Sequence, residues 1–441
     1  MAHRIPVLPV PDLSPPPLGA PSECAPSPSS AGTNSTVQVE RIDSLARLST
    51  IGDLWDDIQR RCPEKHVLLD HRWVTTWLKI FASDSRICVL VLRRNGAAVG
   101  IVPLVITNGY ERFPSRNLHV HTAHDYHYTK VSRLGRWAPI RRLSFPLSVA
   151  VANRRSHFLF VEDDPRLYAT AMQYVMSISQ EWDLLALEGF RRGSEQERLV
   201  MNAAEAAGLS GDGRQAERVS MFANLPASME AFLAAKSNHF RKRMRADCRQ
   251  AEERVPGLRL REFRRGDIDE GIDRLLDLER RSWKVNQTRQ RRYHIGPTPQ
   301  LQTFHREVAR AFAATDSATV LTMEVADRSL AAIFCVERDG VMAAIVTFRD
   351  EEFSDRLTAA PLFRRLIEIS IDRGLDQLDF NGNTSNVQKW ADGARVSGRC
   401  LFYNRQPYSR FLRAMSRAAH VGYGAVASVR GGFRNVAGGP S

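Results

Sequence analysis

Two side chains near the C-terminal end have the type and setting that acyl chemistry needs. Asp379 lies between Leu378 and Phe380, so on a strand it points to the opposite sheet face from both. A carboxylate there can serve as general base for an acceptor amine or hydroxyl, or it can cap the turn at Asn381 to Asn383. Lys389, in the loop beyond, can neutralise charge developing on a carbonyl or phosphate oxygen; the alternative is a solvated loop lysine. His119, His121, His124, Asp125 and His127 make the densest metal-like cluster, although plain loop packing accounts for it equally and no metal is expected. No Ser-His-Asp or Cys-His constellation points to a covalent intermediate.

Cations gather in two segments. Lys236, Arg241, Lys242, Arg243, Arg245 and Arg249 face one acid, Asp247, while Arg280, Arg281, Lys284, Arg289, Arg291 and Arg292 face none. Arg241, Arg245 and Arg249 form one helical stripe beside Phe240 and Met244. With a net charge of +13, an anionic partner is implied. Aromatic interleaving is too sparse for a base-stacking platform, which makes nucleic acid the second choice.

The elements that must position these groups are duplicated. The pattern D-x-L-x-[LF]-x-G occurs at Asp183, Leu185, Leu187, Gly189 and again at Asp376, Leu378, Phe380, Gly382, each time after an amphipathic helix. Helix and strand match without a gap at an offset of 193, Tyr168–Trp182 against Pro361–Leu375, whereas the hairpin from Val89 to Ile101 matches Val320 to Ala332 at 231. The first copy therefore holds 38 extra residues between hairpin and helix. Two similar sheets are expected, with Leu185 and Leu378 at equivalent buried positions.

With 441 residues, 43% hydrophobic and 25% charged, the chain has the composition of a globular protein able to bury more than one core. Residues 1–38 are rich in Pro, Ser and Ala and read as a disordered tail, dispensable for folding. The first half covers 39–210, a linker falls at Gly208 to Arg218, and the second half covers 219–405, opening with a strand near Ser220 to Asn224 and one basic helix from Ser228 to Arg254. Residues 406–441 form a basic tail, with Arg410, Arg413 and Arg417 on one face and Phe411, Leu412 and Met415 on another. Prolines interrupt any signal peptide and no run is long enough to span a bilayer, so a cytoplasmic protein is expected. The six scattered cysteines read as reduced thiols.

A helix after the third meander strand is the order in which the GNAT fold places acyl-coenzyme A. Ser237 to Arg245 (S-N-H-F-R-K-R-M-R), Leu276 to Trp283 (L-D-L-E-R-R-S-W), Leu330 to Phe334 (L-A-A-I-F), Asp379 to Asn383 and Gln388 to Trp390 resemble the CelD-like acetyltransferases of cellulose and exopolysaccharide synthesis. His71 to Leu78, Gly100 to Leu104 and His124 to Tyr126 carry the likeness into the first half. The resemblance implies an α/β fold with a mixed sheet in two tandem GNAT-like domains, related to Fem-type transferases. It also implies an acetyltransferase using acetyl-CoA on a sugar or glycan precursor. Thr358, Ala359, Ala360 and Pro361 would then hold the cofactor at a helix N-terminus. Asp379 and Lys389 would be catalytic; Asp125, Tyr126, Arg241, Lys242, Asn381 and Trp390 would hold the acceptor. The sequence departs from the family in having no glycine at 356–361, and a Cβ there can hold back a pyrophosphate. Other readings are a Fem-like aminoacyl-tRNA-dependent transferase and a silent scaffold of a polysaccharide-synthase complex, with peripheral contact to an acidic membrane face.

Overall fold

The computed structural model describes residues 36–64, 66–82, 86–110, 121–122, 139–146, 156–282, 295–353, 358–415 and 417. Val37 to Ser441 form one compact unit. Its first copy runs β1 (Val37–Ile42), α1 (Leu45–Ser49), α2 (Gly52–Arg61), α3 (His71–Phe81), β2 (Arg86–Arg94), β3 (Ala97–Tyr110), β4 (His121–Thr122), β5 (Pro139–Ser144), β6 (Leu159–Phe160), α4 (Pro165–Ser177), β7 (Leu184–Arg191), α5 (Glu195–Ala206) and β8 (Ser210–Asn224). Two helices, α6 (Met229–Ala235) and α7 (Asn238–Arg254), lead to the second copy. That copy is β9 (Leu258–Phe263), α8 (Ile268–Arg280), α9 (Pro299–Ala313), β10 (Ala318–Val325), β11 (Arg328–Arg338), β12 (Val341–Arg349), α10 (Ala360–Asp372), β13 (Gln377–Asp379), α11 (Ser385–Gln388) and β14 (Gly393–Tyr403), followed by a helix at 407–415.

The hairpins repeat down to their register. Val89 faces Pro103 and Val320 faces Phe334, each pair 231 residues from its counterpart. Both ladders slip at the same place, between Leu92 and Arg93 and between Met323 and Glu324. Asn95 and Gly96 turn the first hairpin with φ of 51° and 81°, and Ala326 takes φ 50° in the second. The helices correct the ungapped match. Leu167, Tyr168, Ala171, Met172 and Val175 are the buried face of α4, and the same pattern returns as Leu362, Phe363, Leu366, Ile367 and Ser370 in α10. That offset is 195, so the connection to the strand is two residues longer in the first copy. Leu185 and Leu378 are both fully buried and both lie on strands joined in parallel, to Leu143 and Met342.

Instead of two sheets there is one. The order β1-β2-β3-β5-β7-β14-β8-β13-β12-β11-β10-β9 reads as two five-strand arrays meeting at a central pair. The pair is exchanged: β8, the last strand of the first copy, adds to β13 of the second, while β14, the last of the second, adds to β7 of the first. The segment read as a linker is thus the start of a 15-residue strand, because its backbone groups find partners along β14. The basic helix is likewise two helices. Lys236 breaks it at an extended backbone, and Ser237 caps α7 by accepting from the Phe240 N–H at 3.1 Å. β1 begins at Val37, inside the segment read as tail, and residues 1–35 lie outside the described residues. The five described cysteines are buried thiols, with no disulfide among them.

Three apolar layers hold the sheet. α4 and α5 cover one face of the first copy, α7 and α10 the same face of the second, and a shared core joins α1–α3 to α8 and α9. There Trp73 meets Phe304 edge-on at 5.1 Å. Asp70, whose side chain is fully buried, caps α3 and binds Arg72 of its own copy at 2.8 Å and Arg338 of the other at 2.7 Å. Burial alone would raise its carboxyl, but the hydrogen bond from Arg72 and the two guanidinium charges outweigh it and hold the group below its ordinary value. Asp70→Ala leaves both cations without this partner and is expected to cost about 3–5 kcal/mol, read as a lower denaturant midpoint; a loss under about 1 kcal/mol would refute a stabilising role between the copies.

His305 supplies the pH dependence. Its Nδ1 lies 2.7 Å from the Leu301 carbonyl, and burial lowers its pKa to about 4. Because the folded value lies below the unfolded one, its stabilising contribution is complete above about pH 6.5 and is withdrawn as pH falls towards about 4. That is about 3 kcal/mol across the window. A stability profile of His305→Leu should be flatter between those limits, and an identical slope would refute the assignment.

Candidate active site

β12 and β13 pair over three positions, Val341 with Gln377, Met342 with Leu378 and Ala343 with Asp379. Beyond them β12 continues to Arg349, whereas the chain after Asp379 turns away through Asn381 at φ 48°. The parallel strands therefore part at Asp379. At the same level β12 carries a bulge, since Phe334 faces Val346 while Cys335 faces Ala344. In chain order α10 follows β12 and is followed by β13, which pairs parallel to β12. No acid lies in the first turn of α10, and its start is fastened by Thr358, whose Oγ1 accepts from the Ala360 N–H at 3.3 Å. Pro361 sits in the first turn, where a missing N–H costs nothing.

The equivalent helix of the first copy starts at a carboxylate. Asp164 caps α4 by accepting from the Arg166 N–H at 2.9 Å, and Arg94 binds both Asp164 and Glu162. Hydrogen bonds and charge from Arg166, with Arg94, overcome the desolvation of Asp164 and keep its carboxyl below the ordinary range. A carboxylate therefore occupies the position where a phosphate would sit.

Asp379 is 2% exposed. Its Oδ1 accepts from the Asn381 N–H at 2.8 Å, and its Oδ2 lies 3.9 Å from an Arg395 nitrogen. Arg395 stacks on the Phe222 ring at 4.1 Å and donates to Gln377. Gln377 and Arg395 in turn line a cavity of about 690 Å³ between the copies, whose other charged walls are Glu64, Asp163, Arg191, Arg192, Glu195, Asp339 and Asp376. Asp379 does not itself line this cavity, which is walled by the starts of β12 and β13 at Val341, Asp376 and Gln377; Arg395 is the side chain that links the two.

Several expected acceptor residues are used differently. Trp390 is 4% exposed and packs edge-on against Phe240 at 5.1 Å and beside Phe363 at 6.0 Å, a core role dictated by its bulk. Arg241 is turned back on the preceding helix, its Nη1 donating to the carbonyls of Lys236, Leu233 and Ala234 at 2.9, 3.2 and 3.3 Å and so satisfying the end of α6. Asn381 is buried in the turn itself. Lys242 and Lys389 are exposed. Lys236, one cation among many in the sequence, has a side chain only 9% exposed and ties the junction of α6 and α7 to Trp390 and Asp392. Asp125, Tyr126 and the histidine cluster lie outside the described residues, apart from the backbone of His121. Arg395 and the cavity were not visible in the sequence, because their setting depends on β14 crossing to the first copy.

Residues 238–393 match the family model of the acetyltransferase (GNAT) domain. No curated protein matches the sequence. Among solved structures, FemX is similar over 82% of this chain and 98% of its own, with 11% identity and a TM-score of 0.54. The C-terminal domain of a putative lysylphosphatidylglycerol synthetase from Agrobacterium fabrum follows at 10% identity, 84% and 96% coverage and a TM-score of 0.45. A tandem GNAT protein of the clavulanic acid pathway follows at 11%, 84% and 100%, and 0.42. The chain carries a GNAT-type acyltransferase domain in a mixed α/β fold, and its likeness to FemX extends through both copies.

Proposed function

We propose that the second copy binds an acyl-coenzyme A, with acetyl-coenzyme A as the expected donor, and passes the acyl group to an amine or hydroxyl of a sugar or glycan precursor held between the copies. The observation that carries this reading is the contrast between the two helix starts. The first turn of α10 carries no acid, while its counterpart on α4 starts at Asp164. Thr358 to Pro361 would face the pyrophosphate, with the thioester lying towards the bulge of β12. Asp379 would take the proton from the attacking nitrogen or oxygen, and Lys389 would support charge on the thioester oxygen. The acid and arginine lining of the cavity suits a polar acceptor, with Asp125 and Tyr126 proposed to line its entrance.

Thermal unfolding with acetyl-coenzyme A tests the reading. At a hundred times its dissociation constant the ligand should add about 2.7 kcal/mol, and the absence of any shift would refute it. A second reading, transfer from charged tRNA, is favoured by the exposed cations Lys242, Arg243, Arg245 and Arg249 along α7. A gel shift with tRNA in the absence of a coenzyme A effect would favour it instead, and failure of both ligands would leave a scaffold role.

A further inference from the structure

The helix at 407–415 turns an apolar stripe outwards. It packs on the sheet through Ser409 and Leu412, which are 0% and 1% exposed. Ser409 Oγ donates to the Asp183 carbonyl at 2.8 Å, and Leu412 joins Ile140, Leu184, Ala186, Leu401 and Tyr403. Leu412 thus leaves the apolar face expected for it, and Tyr408 takes its place. Tyr408, Phe411 and Met415 are 37%, 54% and 41% exposed and lie at i, i+3 and i+7, one line on the helix. Among the described residues the other exposed large hydrophobics are Leu45 and Leu260, on separate elements. The stripe is held in place: the Tyr408 hydroxyl donates to the Pro139 carbonyl at 2.6 Å, and the Tyr408 and Phe411 rings stack at 6.3 Å.

Along the chain from the start of this helix, side-chain charge is of one sign. From 405 to 441 the chain has Arg405, Arg410, Arg413, Arg417, Arg430 and Arg434 and no Asp or Glu. Arg405, Arg410 and Arg417 are exposed. We infer that this helix seats the protein on an anionic lipid surface, with Phe411 and Met415 entering the headgroup boundary and the arginines meeting the lipid phosphates. Three side chains fall well short of the roughly 800 Å² per partner of a stable protein interface, whereas a shallow interfacial helix needs an apolar stripe with cations beside it. A nucleic acid backbone would use the arginines and leave the stripe unused. The inference is independent of the acyl-transfer reading.

Sedimentation of the full chain with vesicles tests it. Binding is expected to vesicles containing phosphatidylglycerol, not to pure phosphatidylcholine, and should weaken with salt. Phe411→Ser should lower the partition about tenfold and Arg410→Gln about fivefold. Both positions are exposed, so each variant should melt as the wild type does. The inference is overturned by failure to bind anionic vesicles, by equal binding to both vesicle types, or by an unchanged partition of Phe411→Ser. A dimer lost in Phe411→Ser without vesicle binding would assign the stripe to a second copy of the chain. DNA binding lost in Arg410→Gln but kept in Phe411→Ser, again without vesicle binding, would assign the charge to nucleic acid.

Discussion

Thr358→Asp is expected to fold as well as the wild type and to bind no acyl-coenzyme A. Thr358 precedes the N-cap, Ala359, and its Oγ1 accepts from the Ala360 N–H, one helix position earlier than the bond Asp164 makes on α4. The substitution therefore brings an acid to the start of α10, one residue before the counterpart of Asp164. An aspartate can accept from the same N–H, and an acid at a helix start contributes about 0.3–1 kcal/mol, so unfolding should shift upwards if at all. The same charge would face the pyrophosphate across a short distance, and binding measured by titration calorimetry should disappear. Thr358→Asn, which can accept from the same N–H without the charge, should bind; Ala360→Asp, two residues further in, should not. Normal binding by Thr358→Asp and Ala360→Asp would remove the cofactor from this helix.

Asp379→Asn is expected to lower the rate of acyl transfer by about 10²–10⁴-fold with little change in cofactor affinity. The distinction matters because Asp379 also holds the turn at Asn381. An asparagine oxygen can accept from the same N–H, so the turn survives while the base is lost; Asp379→Ala removes both and should also lower the melting temperature. Release of free coenzyme A thiol, followed across a set of amino sugars, reads the rate. Equal rates for Asp379→Asn and wild type would leave Asp379 the turn alone. Lys389→Ala should slow transfer and leave binding intact, the pattern expected of a group acting on charge in the transition state.

Much of this site was legible because its parts are local. The hairpins declare themselves by alternating apolar residues closed by tight turns, and that pattern also sets register, since a slip of one residue would turn every buried side chain outwards. Helix starts are as local: Asp164 before Pro165 and Thr358 before Pro361 lie within reach of the N–H groups they accept from. The parting of β12 and β13 follows from a short strand that ends in a turn. Arg241 and Trp390 were harder. Their types suit a ligand, but Arg241 is taken by carbonyls freed where Lys236 breaks the helix, and Trp390 by the rings of Phe240 and Phe363.

The sequence by itself determined that the chain is a duplication and where most strands and helices lie. These depend on neighbours a few residues apart, whose periodicity and capping leave little choice. The tertiary structure alone decided that β8 and β14 change places, that the two arrays form one sheet, and that a cavity lined by Gln377 and Arg395 opens between them. β7 and β13 present matching edges, so either last strand satisfies either edge by pattern. The choice is made by packing at long range, through the central pair β8 and β14 and the shared core of α3, α8 and α9.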